Sequence, residues 1–295
     1  MRQGTSLFGY YGSKSKLINL YPEPAYKTVI EPFCGGACYA LRWYEHDVWL
    51  NDLNPNTMAA WHFLQRPDAA DIVARRIPRY IDAGTPLSDL IRDDDDAGFV
   101  EVVRAGCGRG SYGMKGTRNK VSPMAASSWS ARANGAGGYR DKLLTWIPRI
   151  AHWTLTTLSY DQLPNIKATW FIDPPYNNAA GKKYATSSVN YAHLAAWCRS
   201  RTGQTIVCEN AGADWLPFTT LTDQRRGIHY GTADEQRAGE VVWTQETEPI
   251  GLWAYAEPKA ASRRRCKTNV SHLRRQTCGP PIRSTRSGNL PNSAG

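Results

Sequence analysis

The stretch "KTVIEPFCGGACYALRWYEHDVWLNDLNP", Lys27 to Pro55, decides the fold. A short β-branched and apolar run, "KTVIEPF", ends in Glu-Pro and a Gly-Gly turn, and "ACYALRWYEH" follows with the character of a helix. "DVWLNDLNP" then supplies a second strand, Val48 to Leu50, with Asp52 just past its end. Strand, turn, helix and strand in this order form a βαβ unit, whose strands are expected to lie parallel in one sheet.

Working outward, the same alternation recurs. "MAAWHFLQ" and "AADIVARRIPRYIDAG" read as helices that carry the chain away from the sheet, and "YRDKLLTWIPRIA" reads as another. "WTLTTLSYDQL" is expected as a strand with an acid after it, and "ATWFIDPPY" as the next. "HLAAWCRSR" is a helix, "QTIVCEN" a strand, and "GEVVWTQ" with "IGLWAYA" suggests a terminal antiparallel hairpin. The expected fold class is α/β, a mostly parallel sheet with an antiparallel edge. Length and a 41% hydrophobic content suffice for a full core.

Composition narrows the function classes. No stretch is long and apolar enough to span a bilayer, and "MRQGTSLFGYYGSK" lacks the apolar core of a signal peptide, so a cytoplasmic protein without a membrane role is expected. Seven cysteines, scattered and never spaced as CxxC, argue against a zinc site or a disulfide framework. No metal is expected.

The net charge of +10 sits mostly at one end: the tail from Pro258 carries nine basic residues and no acid, leaving 27 basic and 26 acidic residues elsewhere. Poor in large apolar side chains, residues 258–295 are expected to be disordered. Within the remainder, Arg104 to Arg140 holds seven basic residues and no acid, interspersed with glycine in "AGCGRGSYGMKG" and "ANGAGGY". Its arginines and lysines suit phosphate contact, and Tyr112 and Trp129 suit base stacking. Arg109, Lys115, Arg118 and Lys120 are the candidate DNA contacts, with Arg225 and Arg226 as a further pair. The acidic run Asp93 to Asp96 just before reads as a solvated loop.

In open parallel sheets, ligands bind beyond the carboxyl ends of the strands. Glu31, Gly35, Gly36, Asp52, Asp161 and Asp173 with Tyr176 all fall there. "EPFCGGACYAL" does not fit GxGxxG, which disfavours a dinucleotide. A glycine turn followed by an acid after the second strand still suits an adenosine-containing molecule. The motif Asp173-Pro174-Pro175-Tyr176 is the more specific signal. Two prolines remove two backbone donors and leave carbonyls free. An exocyclic aromatic amine needs acceptors for its N–H groups before its nitrogen can act as a nucleophile. Asp173 and the Pro174 carbonyl can accept those hydrogens, while the Tyr176 ring can stack on a base taken out of the duplex.

With "FGYYGSKSKL", "VIEPFCGGACYAL", "NDLNP" and "DPPY" in this order, the chain resembles the Dam-like (D12 class) adenine-N6 DNA methyltransferases in their α arrangement, over about residues 7 to 257. The resemblance implies a Rossmann-like S-adenosylmethionine-dependent fold. It divides the chain into a catalytic domain over 1–60 and 145–257, an inserted, largely helical and loop target-recognition region over 61–144, and the tail. It also implies cofactor contacts by Tyr10, Lys14, Glu31 through Gly36 with Phe33, Asp52, Asp161 and Asp173, and double-stranded DNA as partner. Bacteria and phage-infected cells are the expected setting, and a paired restriction enzyme would fit. Tyr10 stands where a tryptophan is common and Ser13 where a glycine is common. An RNA or protein-glutamine methyltransferase, and an inactive DNA-binding relative, are the alternative readings.

Overall fold

The computed structural model describes residues 6–108, 112–115, 119–130, 138–222 and 239–247. Seven strands form one sheet: β1 (Thr28–Glu31), β2 (Asp47–Asn51), β3 (Thr154–Thr156), β4 (Ala168–Ile172), β5 (Gly203–Asn210), β6 (Thr219–Thr222) and β7 (Glu240–Thr247), in the spatial order β3-β2-β1-β4-β5-β7-β6. Strands β1 to β5 are all parallel, and β7 runs antiparallel to both β5 and β6. The strand order reverses between β1 and β4. At that point the connections leave to opposite sides and a crevice opens beyond the strand ends.

The helices are α1 (Cys38–Arg42), α2 (Pro55–Leu64), α3 (Ala69–Arg76), α4 (Ala97–Cys107), α5 (Pro123–Ser130), α6 (Tyr139–Ile150) and α7 (Tyr191–Arg199). Both sheet faces are covered, and the period-two alternation of the strands sorts side chains between them. Val29, Phe171 and Ile206 join the core under α1, α2 and α4, where Tyr39 stacks on Phe171 at 4.2 Å and Trp61 is fully buried. Their neighbours Ile30, Trp170, Ile172 and Val207 pack on the other face against Leu194 and Trp197 of α7. The first core continues through Phe99, Trp129 and Leu143, so α2 to α6 share packing with the sheet.

Several sequence expectations need correction. The helix expected from Ala69 to Gly84 ends at Arg76, because Pro78 biases Ile77 out of the helical region. The strand expected from Trp153 shrinks to Thr154–Thr156. The acidic run is not simply solvated: Asp95 makes a bidentate pair with Arg76 at 2.8 and 2.9 Å, and Asp96 caps α4 by accepting from Gly98 and Phe99. The glycine-rich segment contains the end of α4 and all of α5. Trp129, expected to stack on bases, is buried with its Nε1 donating to the Pro78 carbonyl. Tyr112 is half-buried and its hydroxyl reaches Glu101 and the Asn56 carbonyl. β7 has β6 as its antiparallel partner, and "IGLWAYA" lies outside the described residues, as does the tail.

Candidate active site

The β1–α1 turn is where the local sequence is most constrained. Gly35 has φ +43°, and a Cβ built there would sit 2.6 Å from the Tyr10 ring, so the turn needs glycine for both conformation and space. Asp52 Oδ2 accepts from the Gly35 N–H at 2.9 Å and its Oδ1 from the Asn54 N–H at 2.9 Å, tying the end of β2 to this turn. Trp61 Nε1 donates to the Gly35 carbonyl at 3.0 Å. Ala37 stands at the N-cap of helix α1, and its side chain cannot cap it. Glu31 does so from the end of β1, accepting the Ala40 N–H at 2.6 Å.

These residues wall one cavity of about 400 Å³, within the range of small-molecule sites. Tyr10, Lys14, Glu31, Phe33, Gly35, Gly36, Asp52 and Asp173 all line it, which brings together sequence positions from four separate motifs. Burial pushes the Glu31 carboxyl from its ordinary 4.5 up to about 8 and Asp52 from 3.8 to about 6, against the pull of their backbone N–H partners.

Asp173 leaves the end of β4 beside the β1 turn. Lys14 reaches it from the N-terminal segment: Nζ lies 2.6 and 2.7 Å from the two carboxylate oxygens and donates to the Gly12 carbonyl at 3.2 Å. Lys14 is almost fully buried, and its ammonium also stands 4.7 Å from the Tyr176 ring centre and 3.9 Å from Glu240. Glu240, at the start of β7, accepts hydrogen bonds from the hydroxyls of Tyr176 and Tyr21. The Pro-Pro turn is braced from behind, with Tyr191 donating to the Pro175 carbonyl at 2.6 Å and Glu209 accepting from the Asn177 N–H and Trp215 Nε1. A carboxylate with a fixed orientation thus faces a cavity whose far wall is the glycine turn.

Three expected residues are placed differently, and the first, Pro174, is buried and, unlike Pro175, does not line the cavity. Asp161 is exposed and does not line the cavity. It lies in a single 3-10 turn, Tyr160–Gln162, in which successive side chains point about a third of a turn apart. Its neighbour Tyr160 lines the cavity instead, with its ring 5.3 Å from Phe33 and its hydroxyl 2.7 Å from His193 Nδ1. Tyr176 is buried, 8% exposed, and the cavity is lined by Pro175 rather than by its ring. Lys115 and Lys120 are exposed; Arg109, Arg118, Arg225 and Arg226 lie outside the described residues. Sequence reasoning missed Glu240, Tyr160 and Tyr184, another cavity residue. Only the position of Tyr160, next to the acid singled out after β3, could have signalled any of them.

Among the described residues, no group of three or more His, Cys, Asp or Glu side chains could hold a metal ion, and no helix is long and apolar enough to cross a membrane. No curated protein sequence matches the chain. Residues 10–102, which include the Tyr10–Lys14 segment, the β1 turn and Asp52, match the family model described as D12 class N6 adenine-specific DNA methyltransferase. With the seven-stranded, mostly parallel sheet and an Asp-Pro-Pro-Tyr turn at its switch point, this match makes the chain similar, over residues 10–102, to the D12 class of N6 adenine-specific DNA methyltransferases.

Proposed function

We propose that the chain methylates N6 of an adenine flipped out of double-stranded DNA, with S-adenosylmethionine as donor. The observation that carries this reading is the single cavity shared by the Gly35–Gly36 turn, Asp52 and Asp173: a ligand lying over the turn faces the acid of the DPPY motif directly. The residues present fit such a donor. Gly35 leaves open a space that a Cβ would close, the Asp173 carboxylate suits a nearby sulfonium cation, and Phe33 and Tyr160 offer flat surfaces to an adenine ring. Asp52 retains acceptor capacity beyond its two backbone N–H bonds and is suited to ribose hydroxyls.

When bound, S-adenosylmethionine would supply an activated methyl group on its sulfonium sulfur; transfer to N6 breaks the carbon–sulfur bond, leaves a neutral thioether and releases one N6 proton to water. The chain's own residues position the base. Asp173, oriented by Lys14, accepts one N6 hydrogen and the Pro174 carbonyl the other, so the nitrogen lone pair turns toward the methyl group. Residues 61–144 act as the target-recognition region, with Lys115 and Lys120 on DNA and Arg109, Arg118, Arg225 and Arg226 as further candidates.

Incubation of duplex DNA with the protein and methyl-labelled S-adenosylmethionine, followed by mass spectrometry of the nucleosides, tests the reading. Label in N6-methyl-2'-deoxyadenosine from DNA is the expected result. Label confined to RNA or protein, or absent, overturns it.

A further inference from the structure

Two stretches of the sequence are basic and free of acid: Arg104 to Arg140, and the span between Asp173 and Glu209, which carries Lys182, Lys183, Arg199 and Arg201. Although far apart in sequence, they meet in the structure. The Lys115 N–H donates to the Lys183 carbonyl at 2.9 Å, and the Ala185 N–H to the Gly113 carbonyl at 3.0 Å, around a bridge between Met114 and Tyr184. On its other edge the same piece of chain pairs with the N-terminal segment, Tyr11 N–H to the Tyr112 carbonyl at 2.9 Å and Tyr112 N–H to the Gly9 carbonyl at 3.2 Å. The result is a three-ply backbone strap, of which Tyr10, Tyr11, Tyr184 and Ala185 line the cavity.

The lysines are held firmly to the reacting end of the site. Lys182 and Lys183 lie in a 3-10 turn, Gly181–Lys183, that Asn178 anchors: its side-chain oxygen accepts the Gly181 N–H at 3.0 Å, its carbonyl the Lys182 N–H at 3.4 Å, and its own N–H donates to the Tyr176 carbonyl at 2.7 Å. The turn therefore moves with the Asp-Pro-Pro-Tyr motif. Lys115 and Lys182 are exposed, Lys183 is half-buried, and among the described residues neither Lys115 nor Lys182 has a carboxylate partner. Lys115, Lys182 and Lys183 are thus carried on or next to a strap whose Tyr184 and Ala185 line the cavity.

We propose that Lys182 and Lys183, together with Lys115, form a phosphate clamp that holds the DNA backbone beside the nucleotide whose adenine enters the cavity. The inference rests on the reading of that cavity as the base and cofactor site. Ammonium groups on a backbone strap act as point charges toward phosphate and carry no base sequence information. The clamp contributes affinity and register, not choice of site.

The test compares the full-length wild type with the Lys182→Gln/Lys183→Gln variant. Binding to a mixed-sequence DNA duplex is measured by fluorescence anisotropy over a range of salt concentrations, with calorimetric affinity for S-adenosylmethionine alongside. If each lysine neutralises one phosphate, the slope of log K against log salt becomes shallower by about 2, at roughly 0.9 per phosphate. Cofactor affinity and the pattern of methylated sites stay unchanged. An unaltered slope and DNA affinity overturn the clamp, and so does an altered site pattern, which would make these lysines base readers. The single variant Lys182→Gln, at an exposed position, gives half the slope change if the double variant fails to fold. Failure of the cavity reading is visible separately, as a wild type that binds DNA with the same slope yet neither binds S-adenosylmethionine nor methylates adenine.

Discussion

The Lys14 ammonium and the Asp173 carboxylate, 159 residues apart in sequence, meet at 2.6 Å at the rim of one cavity. The pair joins the N-terminal segment to the end of β4. It also explains how an acid only 22% exposed in its side chain stays oriented toward the space in front of the glycine turn. Removing the acid tests its role in the transfer. Asp173→Ala is expected to lower methyl transfer by at least about a hundredfold, as for loss of a key positioned electrostatic group, with the fold retained because the residue lies past the strand end. Labelled-methyl incorporation and thermal melting measure the two effects. Methylation near the wild-type rate by this variant would exclude Asp173 as the acceptor of the amine hydrogens.

Gly35→Ala tests the turn. At φ +43° an alanine is strained by about 1–3 kcal/mol, and its Cβ would also meet Tyr10 at 2.6 Å. The expected outcome is weakened cofactor binding together with lowered stability. Gly84→Ala is the control, since Gly84 has φ +87° with nothing within 4 Å, and it should show the strain alone. Calorimetry with S-adenosylmethionine separates the two, and equal cofactor affinity in both variants would remove the turn from the binding site.

Glu31 makes stability depend on pH. Its carboxyl rises from 4.5 to about 8 on folding because burial disfavours the charge, so the folded state holds its proton more tightly than the unfolded chain. That contribution is fully present below pH 4.5 and is lost as pH rises through about 8. Asp52, raised from 3.8 to about 6, adds a loss of the same sign over a lower window. Glu31→Gln should therefore flatten the decline of melting temperature between pH 4.5 and 8. Superimposable pH profiles for variant and wild type would contradict it.

Glu240 supports the site from beneath. Glu240→Ala removes the acceptor that the Tyr21 and Tyr176 hydroxyls share, at about 1 kcal/mol for each hydrogen bond lost. Melting temperature and kcat are expected to fall while affinity for S-adenosylmethionine changes little. Glu240→Gln keeps an acceptor for both tyrosines but removes the charge 3.9 Å from Lys14, and should restore most of the stability. A glutamine variant as unstable as the alanine variant would assign the role to charge rather than to hydrogen bonding.

By itself the sequence determined the βαβ unit, the parallel order implied by it, and the candidate residues at strand ends, because each depends on local signals: short continuous apolar runs at Val29 to Ile30 and Trp170 to Ile172, glycine where the backbone must turn, and acids just past the strands. Tertiary structure alone decided which of those acids share a cavity. Asp52 and Asp173 turn inward, whereas Asp161 turns outward because a single 3-10 turn rotates it away and presents Tyr160. Tertiary structure also decided that Trp129 is core rather than a base-stacking ring, since α5 folds over Pro78, a contact that no local pattern announces. The partnership of Lys14, Asp173, Tyr176 and Glu240 was equally hidden: its members come from three segments, and only the pairing of β7 with β5 carries Glu240 to a motif 64 residues earlier in the chain. Local propensities act over a few residues, while the desolvation that makes a buried ion pair and its hydrogen-bonded acceptors mutually necessary acts through space.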